Sequence, residues 1–205
     1  MAIAYPLSLP ATSVPAAVSI RMRSSVGMSM SPFSFAQQVY AHAGDMWEAD
    51  ISLPKMQRAD AEEYIAFLAA LNGREGSFTL GPDPVNLSPR GTWGGTPLVN
   101  GASQTGKTLA VDGFTASATV KKGDWFQLGS GSSSRLHKIV EDGTANGSGQ
   151  LSLEIWPRLR SSPADNDALT KASPKGVFRL ASNLREYSLE LAQLYGISFS
   201  AIEAI

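Results

Sequence analysis

The stretch MWEADISLPKMQRADAEEYIAFLAALNGREGSFTL, residues 46–80, decides the class of the fold. Its first residues alternate: Trp47, Ala49, Ile51 and Leu53 fall on one side, and Glu48, Asp50 and Ser52 on the other. Period two with one apolar side reads as a strand that buries one face, and Pro54 ends it. A helix follows. Asp60 is placed to cap it with Glu63 three residues on, a capping-box spacing with Asp in the Ser/Thr role. Ala61, Tyr64, Ile65, Leu68 and Leu71 recur at helical period, so Tyr64, Ile65, Leu68 and Leu71 are expected to pack the helix on a sheet. Glu62 and Glu63 favour the start of the helix dipole, and Asn72-Gly73 supplies a stop. SFTL restarts an extended run that GPDP, residues 81–84, halts.

Outward from this stretch the chain stays extended. In AVSIRMRSS, Val18, Ile20 and Met22 alternate with Ser19, Arg21 and Arg23, the pattern of a half-buried strand. SPFSFAQQVYAH reads as a second strand with Phe33, Phe35 and Val39 inward. At the other end, Tyr187, Leu189 and Leu191 alternate with Ser188 and Glu190, and Ile197, Phe199 and Ala201 with Ser198 and Ser200. Two strands meeting near Gly196 account for this segment.

The middle differs. From Asn86 onward the chain is rich in Gly, Ser and Thr and shows no helical period. KTLAV, SATV, WFQLG, RLHKIVE and LSLEIW are short extended runs, separated by turn signals such as Asp112-Gly113 and Gly123-Asp124. Five short strands at that spacing predict a small barrel or sandwich. The expected architecture is therefore mainly β. A β-sandwich or split-barrel domain with one α-helix, residues 1–85 and 161–205, carries an inserted barrel-like β-domain, residues 86–160.

Composition excludes several function classes. With 17 Lys and Arg against 18 Asp and Glu the net charge is −1, and no basic stripe suited to a nucleic-acid groove is visible. The absence of cysteine removes disulfides and thiolate metal sites. His42 and His137 lie far apart without ligand spacing and read as solvated or half-buried strand residues. The N-terminal MAIAYPLSLPATSVPAAVSI has three prolines and no basic leader, so neither a signal peptide nor a membrane span is expected.

One motif argues for nucleotide binding. GASQTGKT, Gly101–Thr108, fits the phosphate-loop pattern at every position. That loop works only between a buried strand and a helix that begins at its Lys. Here GGTPLVN precedes it, Asp112-Gly113 follows within about a turn of Thr108, and no later apolar run ends in a magnesium-binding Asp. The match is read as a decoy with Lys107 solvated, and no cofactor or metal is expected. Asp45, Glu48 and Asp50 cluster on one strand but lack a third ligand, so they read as its solvated face. Trp125 and Trp156 sit in apolar runs and are expected in a core; Trp93 is the candidate for an outward contact. No G-x-S-x-G, H-E-x-x-H or EF-hand pattern is present, and no catalytic residue is assigned.

RADAEEYIAFLAALNGREGSFTLGPDP resembles a segment of tail-tip proteins of long-tailed bacteriophages, in which a helix R-x-x-A-E-x-x-x-x-F-L precedes L-x-G-R-x-G-x-F. The matching residues are Arg58, Ala61, Glu62, Phe67, Leu68, Leu71, Gly73, Arg74, Gly76 and Phe78. PRGTWGGTPLVNGASQTGKTL, GDWFQLGSG and the closing LEIWPRLR also resemble the insert of such proteins. The family resembled is the distal tail protein, or baseplate hub. That resemblance implies a structural, non-enzymatic subunit of the virion tail tip, made in the host bacterial cytoplasm. It implies a homohexameric ring that continues the tail tube and docks tip or baseplate proteins, and with them the tape measure or tail fibres. DNA is met only in transit, and no membrane is entered. Glu48 and Asp50 would then face the lumen, their charge discouraging DNA from sticking. The competing expectations are a carbohydrate- or receptor-binding module of the same particle, and a nucleotide enzyme that needs Lys107.

Overall fold

The computed structural model describes residues 3–82, 88–190 and 193–205. In chain order the strands of the first half are β1 (Leu7–Ser8), β2 (Ala17–Arg23), β3 (Val26–Met30), β4 (Gln37–Ala41) and β5 (Met46–Ser52); α1 (Arg58–Ala70) and β6 (Phe78–Leu80) follow. Then come β7 (Gly95–Val99), β8 (Gly106–Phe114), β9 (Thr119–Val120), β10 (Trp125–Leu128), β11 (Arg135–Ile139), β12 (Gly143–Thr144) and β13 (Leu151–Leu159). The last are β14 (Leu169–Thr170), β15 (Gly176–Leu180), β16 (Tyr187–Leu189) and β17 (Tyr195–Glu203). The chain is mainly β with one α-helix, as its alternation predicts.

One sheet runs β1-β6-β15-β17-β5-β2, with β16 paired to β17. It draws on both ends of the chain. Its buried face is the one read from the opening stretch: Trp47, Ala49 and Ile51 are each at most 1% exposed. They pack with Phe78, Phe178, Leu180, Ile197 and Ala201 under α1, which contributes Ala61, Tyr64, Phe67, Leu68 and Leu71. Ile65 is only half-buried against this core, and Phe67, outside the expected stripe, sits edge-on between Tyr64 and Phe78.

The helix begins at Arg58, with Gln57 as an N-cap that makes no side-chain bond. The expected Asp60–Glu63 capping box is therefore corrected. Met56 and Tyr195 exchange backbone hydrogen bonds just before the helix (3.1 and 2.9 Å), and that pairing fixes where the chain turns. Asp60 remains in the first turn, where it favours the dipole. The stop falls where it is expected: Asn72 and Gly73 have φ of 47° and 67°. A Cβ on Gly73 would meet Asn183 Oδ1 at 2.7 Å, so both conformation and space demand glycine there.

The second sheet, β14-β10-β11-β13-β8-β7, is nearly closed, because Leu98 on β7 bridges to Ala168 just before β14. It encloses a core of its own around Trp93, Leu109, Val111, Phe126, Ile139, Leu153 and Ile155. The five expected runs became β8, β9, β10, β11 and β13. Two details differ. Asp112-Gly113 lies inside β8 and is not a turn, with Gly113 at φ 74° packed against Thr96 O. The barrel also takes its sixth strand from Leu169–Thr170, past the expected limit at residue 160. The expected limit at 85–86 lies outside the described residues. Pro97 sits at a register irregularity between Gly95 and Leu98, where the ladder is already interrupted.

β3 and β4 form a separate two-stranded hairpin. At the other end of the chain, β16 and β17 pair with Ser188 opposite Gly196. The reversal therefore lies between Glu190 and Leu194, and Gly196 is inside β17; Leu191 lies outside the described residues.

Candidate assembly surface

The inward placement expected for Phe33, Phe35 and Val39 is reversed. All ten strand residues of the β3–β4 hairpin are exposed. Seven large apolar side chains stand on it, Val26, Met28, Met30, Phe33, Phe35, Val39 and Tyr40, from 48% exposed at Met30 to 95% at Phe33. No Asp, Glu, Lys or Arg occurs between Arg23 and Asp45. The local pattern is that of a buried segment, but within one chain nothing covers it. A second exposed apolar set, Leu184, Tyr187 and Leu189, lies on and before β16.

The open face of the large sheet carries Glu48 and Asp50, and neither charge stands alone. Arg21 Nη1 lies 2.5 Å from Asp50 Oδ2, Arg23 Nη1 lies 2.9 Å from Glu48 Oε1, and Ser200 Oγ donates to Asp50 Oδ1 at 2.6 Å. The face is thus charge-balanced and hydroxyl-rich, with Ser19, Ser52 and Ser198 around the pairs. Asp45, read with these two as a solvated face, is instead 3% exposed at the start of β5. Arg158 Nε and Lys107 Nζ lie 3.6 and 3.9 Å from its Oδ2.

That ion pair places the lysine of GASQTGKT, and the rest of the loop is equally committed. Residues 100–105 join β7 to β8, and the motif runs into a strand, with no helix to point at a phosphate. The Gln104 side chain donates to the carbonyls of Asn100, Gly101 and Ala110 and accepts from Ala110 N at 2.6 Å. Gly101 N donates to Asp165 Oδ1 at 2.8 Å, so a carboxylate already holds an amide that a phosphate loop would offer.

Trp93, expected outward, is 1% exposed. Its Nε1 donates to Asp124 Oδ2 at 2.7 Å. The same carboxylate accepts from Arg90 N, Gly91 N and Lys121 N at 2.7–3.0 Å. Burial alone would raise the Asp124 pKa, but the bonds from Trp93, Lys121, Arg90 and Gly91 outweigh it and hold the carboxyl below its ordinary range. Trp125 and Trp156 pack with Trp47, at ring separations of 4.6 and 4.2 Å. Trp47 belongs to the sheet core and the other two to the barrel, so three indoles form the seam between the units. Trp47 Nε1 donates to Leu136 O at 2.9 Å, and Trp47 N donates to Glu203 Oε2 at 3.1 Å.

His137 is buried in this junction, where a solvated or half-buried residue was expected. Its Nδ1 lies 2.9 Å from Pro157 O, and its ring stacks on Phe126. Burial, helped by Arg160 and Arg135, pushes its pKa down to about 4, so the ring is neutral and Nδ1 is the donor. In the unfolded chain the imidazole protonates near its ordinary value of 6.5. Between those values the unfolded state binds more protons, so stability is complete above about pH 6.5 and declines toward pH 4. The loss amounts to about 3 kcal/mol. Glu203, raised by burial against the pull of Arg160, acts in the opposite direction above pH 4.5 and flattens the slope. Urea titrations across this range should show the acid loss, and His137→Asn, which keeps a donor toward Pro157, should remove most of it. An unchanged slope in the variant would place the titration elsewhere.

A cleft of about 590 Å³ lies between the N-terminal segment and the barrel and is lined by Leu9, Pro10, Val14, Val18, Trp125 and Pro174 among others. Its carboxylate, Asp124, is fully engaged by four N–H donors. Among the described residues no group of three or more His, Asp or Glu is placed to hold a metal ion, and no helix is long and apolar enough to cross a membrane. No protein-family model matches the chain, and no curated protein matches it significantly.

Proposed function

We propose that this chain is a structural subunit of a phage tail tip, of the distal tail class, acting by assembly and conduit formation. The proposed ring has six copies, continues the tail tube, docks tip or baseplate proteins, and lets DNA pass. The observation that carries the reading is the uncharged, exposed apolar hairpin, a surface suited to contact with another protein. It is supported by the sequence resemblance in α1 and the barrel. The carbohydrate-binding alternative loses its motive, since Trp93 is buried and Trp125 and Trp156 are committed to the seam with Trp47. Gold labelling of a tag on this chain in purified virions tests the reading. Label at the tail tip is expected; label on the capsid or along the whole tail would contradict it.

In such a ring the open sheet face is suited to line the channel. Its paired charges and serine hydroxyls offer DNA phosphate neither attraction nor a net repulsive field. The double change Glu48→Lys/Asp50→Lys leaves four cations on that face, with Arg21 and Arg23. DNA ejection from virions carrying it should slow at least tenfold at low salt and recover as salt screens the face. Unchanged ejection would remove the lining assignment.

A further inference from the structure

We infer that the β3–β4 hairpin docks on the β16 end of a second copy of this chain, so that the ring closes by one repeated head-to-tail contact. The inference rests on the ring-subunit reading and names the surfaces that meet. Two-stranded hairpins exposed on both faces are marginal in water and need a covering partner. Scaled from typical side-chain areas, the seven apolar residues expose on the order of 800 Å², about what each partner gives to a stable interface. Val26, Met28, Met30 and Val39 share one face of the hairpin, and Tyr40 stands on the other.

The occupant follows from position. Arg23 pairs with Met46 at the end of the sheet from which the hairpin departs. At the opposite end Ser52 pairs with Ala17 and Ser198, and β16 lies further on, paired with Tyr195–Ile197. The seven residues of β5 between these ends span about 20 Å, and β17 and β5 separate β16 laterally from β2. One chain therefore carries two apolar surfaces at opposite ends of one sheet. Neither can cover the other within the chain; the hairpin carries no charged residue, and the exposed Glu186 beside Leu184 and Tyr187 sets a charge at the edge of the β16 surface. Arg185 donates to Leu68 O and Glu190 pairs with Lys55 at 2.5 Å, leaving Tyr187 and Leu189 exposed between them and Leu184 exposed just before. Different surfaces meeting in successive copies make a heterologous contact, which closes into a ring when the rotation permits.

Two surface variants of the full chain test this: Phe33→Ser/Phe35→Ser on the hairpin and Leu184→Ser/Leu189→Ser at β16. All four residues are exposed, so each variant should keep the wild-type circular dichroism and melting temperature. Each alone should self-associate at least a hundredfold more weakly than wild type in sedimentation equilibrium. Mixed together, they retain one intact hairpin and one intact β16 surface, and should form dimers and nothing larger. Loss in the hairpin variant only, wild-type assembly by both, or a monomeric mixture would overturn the proposed contact. A wild-type chain that stays monomeric at every concentration would overturn it as well. Failure here with gold label still at the tail tip rejects this contact alone, whereas label elsewhere rejects the ring-subunit reading.

Discussion

Asp124→Ala should destabilise the protein by about 4 kcal/mol, because it strands four N–H donors around a buried site. The carboxylate accepts from Arg90 N, Gly91 N, Lys121 N and Trp93 Nε1, and it is 3% exposed. Trp93 in turn touches Phe114 and Phe126, so losing its anchor loosens one end of the barrel core. For a domain of this size the melting temperature should fall by about 10 °C. Asp124→Asn keeps the shape but replaces one acceptor oxygen by an amide, and should cost about half as much. Thermal melts of the two variants check this, and a fall under 2 °C for the alanine variant would remove Asp124 as the organiser of the segment.

Trp47→Ala should have a comparable effect of a different kind. Removing a buried indole costs about 3–5 kcal/mol, and here it also removes the contact to Trp125 and Trp156 and the bond to Leu136 O. Since these are barrel residues, the variant should lose coupling between the units as well as stability. Guanidinium unfolding should show one transition in the wild type and two in the variant, with the barrel as the more resistant part. Trp47→Phe keeps a ring but no N–H, and should cost about 1–2 kcal/mol with a single transition retained. A single transition in Trp47→Ala would show that the seam is held elsewhere.

What could be read from the sequence was local. Trp47, Ala49 and Ile51 declare their buried face by alternation, Tyr64, Leu68 and Leu71 theirs by helical spacing, and Asn72-Gly73 its stop by backbone chemistry. Contacts across long separations leave no such mark. Asp124 stands in Gly123-Asp124, where it signals only a turn. Its role depends on Trp93, thirty-one residues earlier. Asp45 looks like one more polar residue beside β5, yet it is buried against Lys107 and Arg158, which lie in the barrel. His137 gives no sign that Pro157 O will hold it in the interior.

Phe33, Phe35 and Val39 fail for another reason. Apolar content predicts that a segment is covered without saying by which molecule. In a single chain these residues look like core, and in an assembling subunit they are interface. The same ambiguity hides β16. The phosphate-loop match was decided by context: a strand, and not a helix, follows Thr105.

We propose that copies of this chain close into a sixfold conduit. Negative-stain averaging of the purified protein, alone and with tail tube protein as template, tests it most directly. Closed sixfold rings with a central channel are expected, each copy reaching its neighbour through the hairpin. Monomers under both conditions, or open filaments that never close, would contradict it.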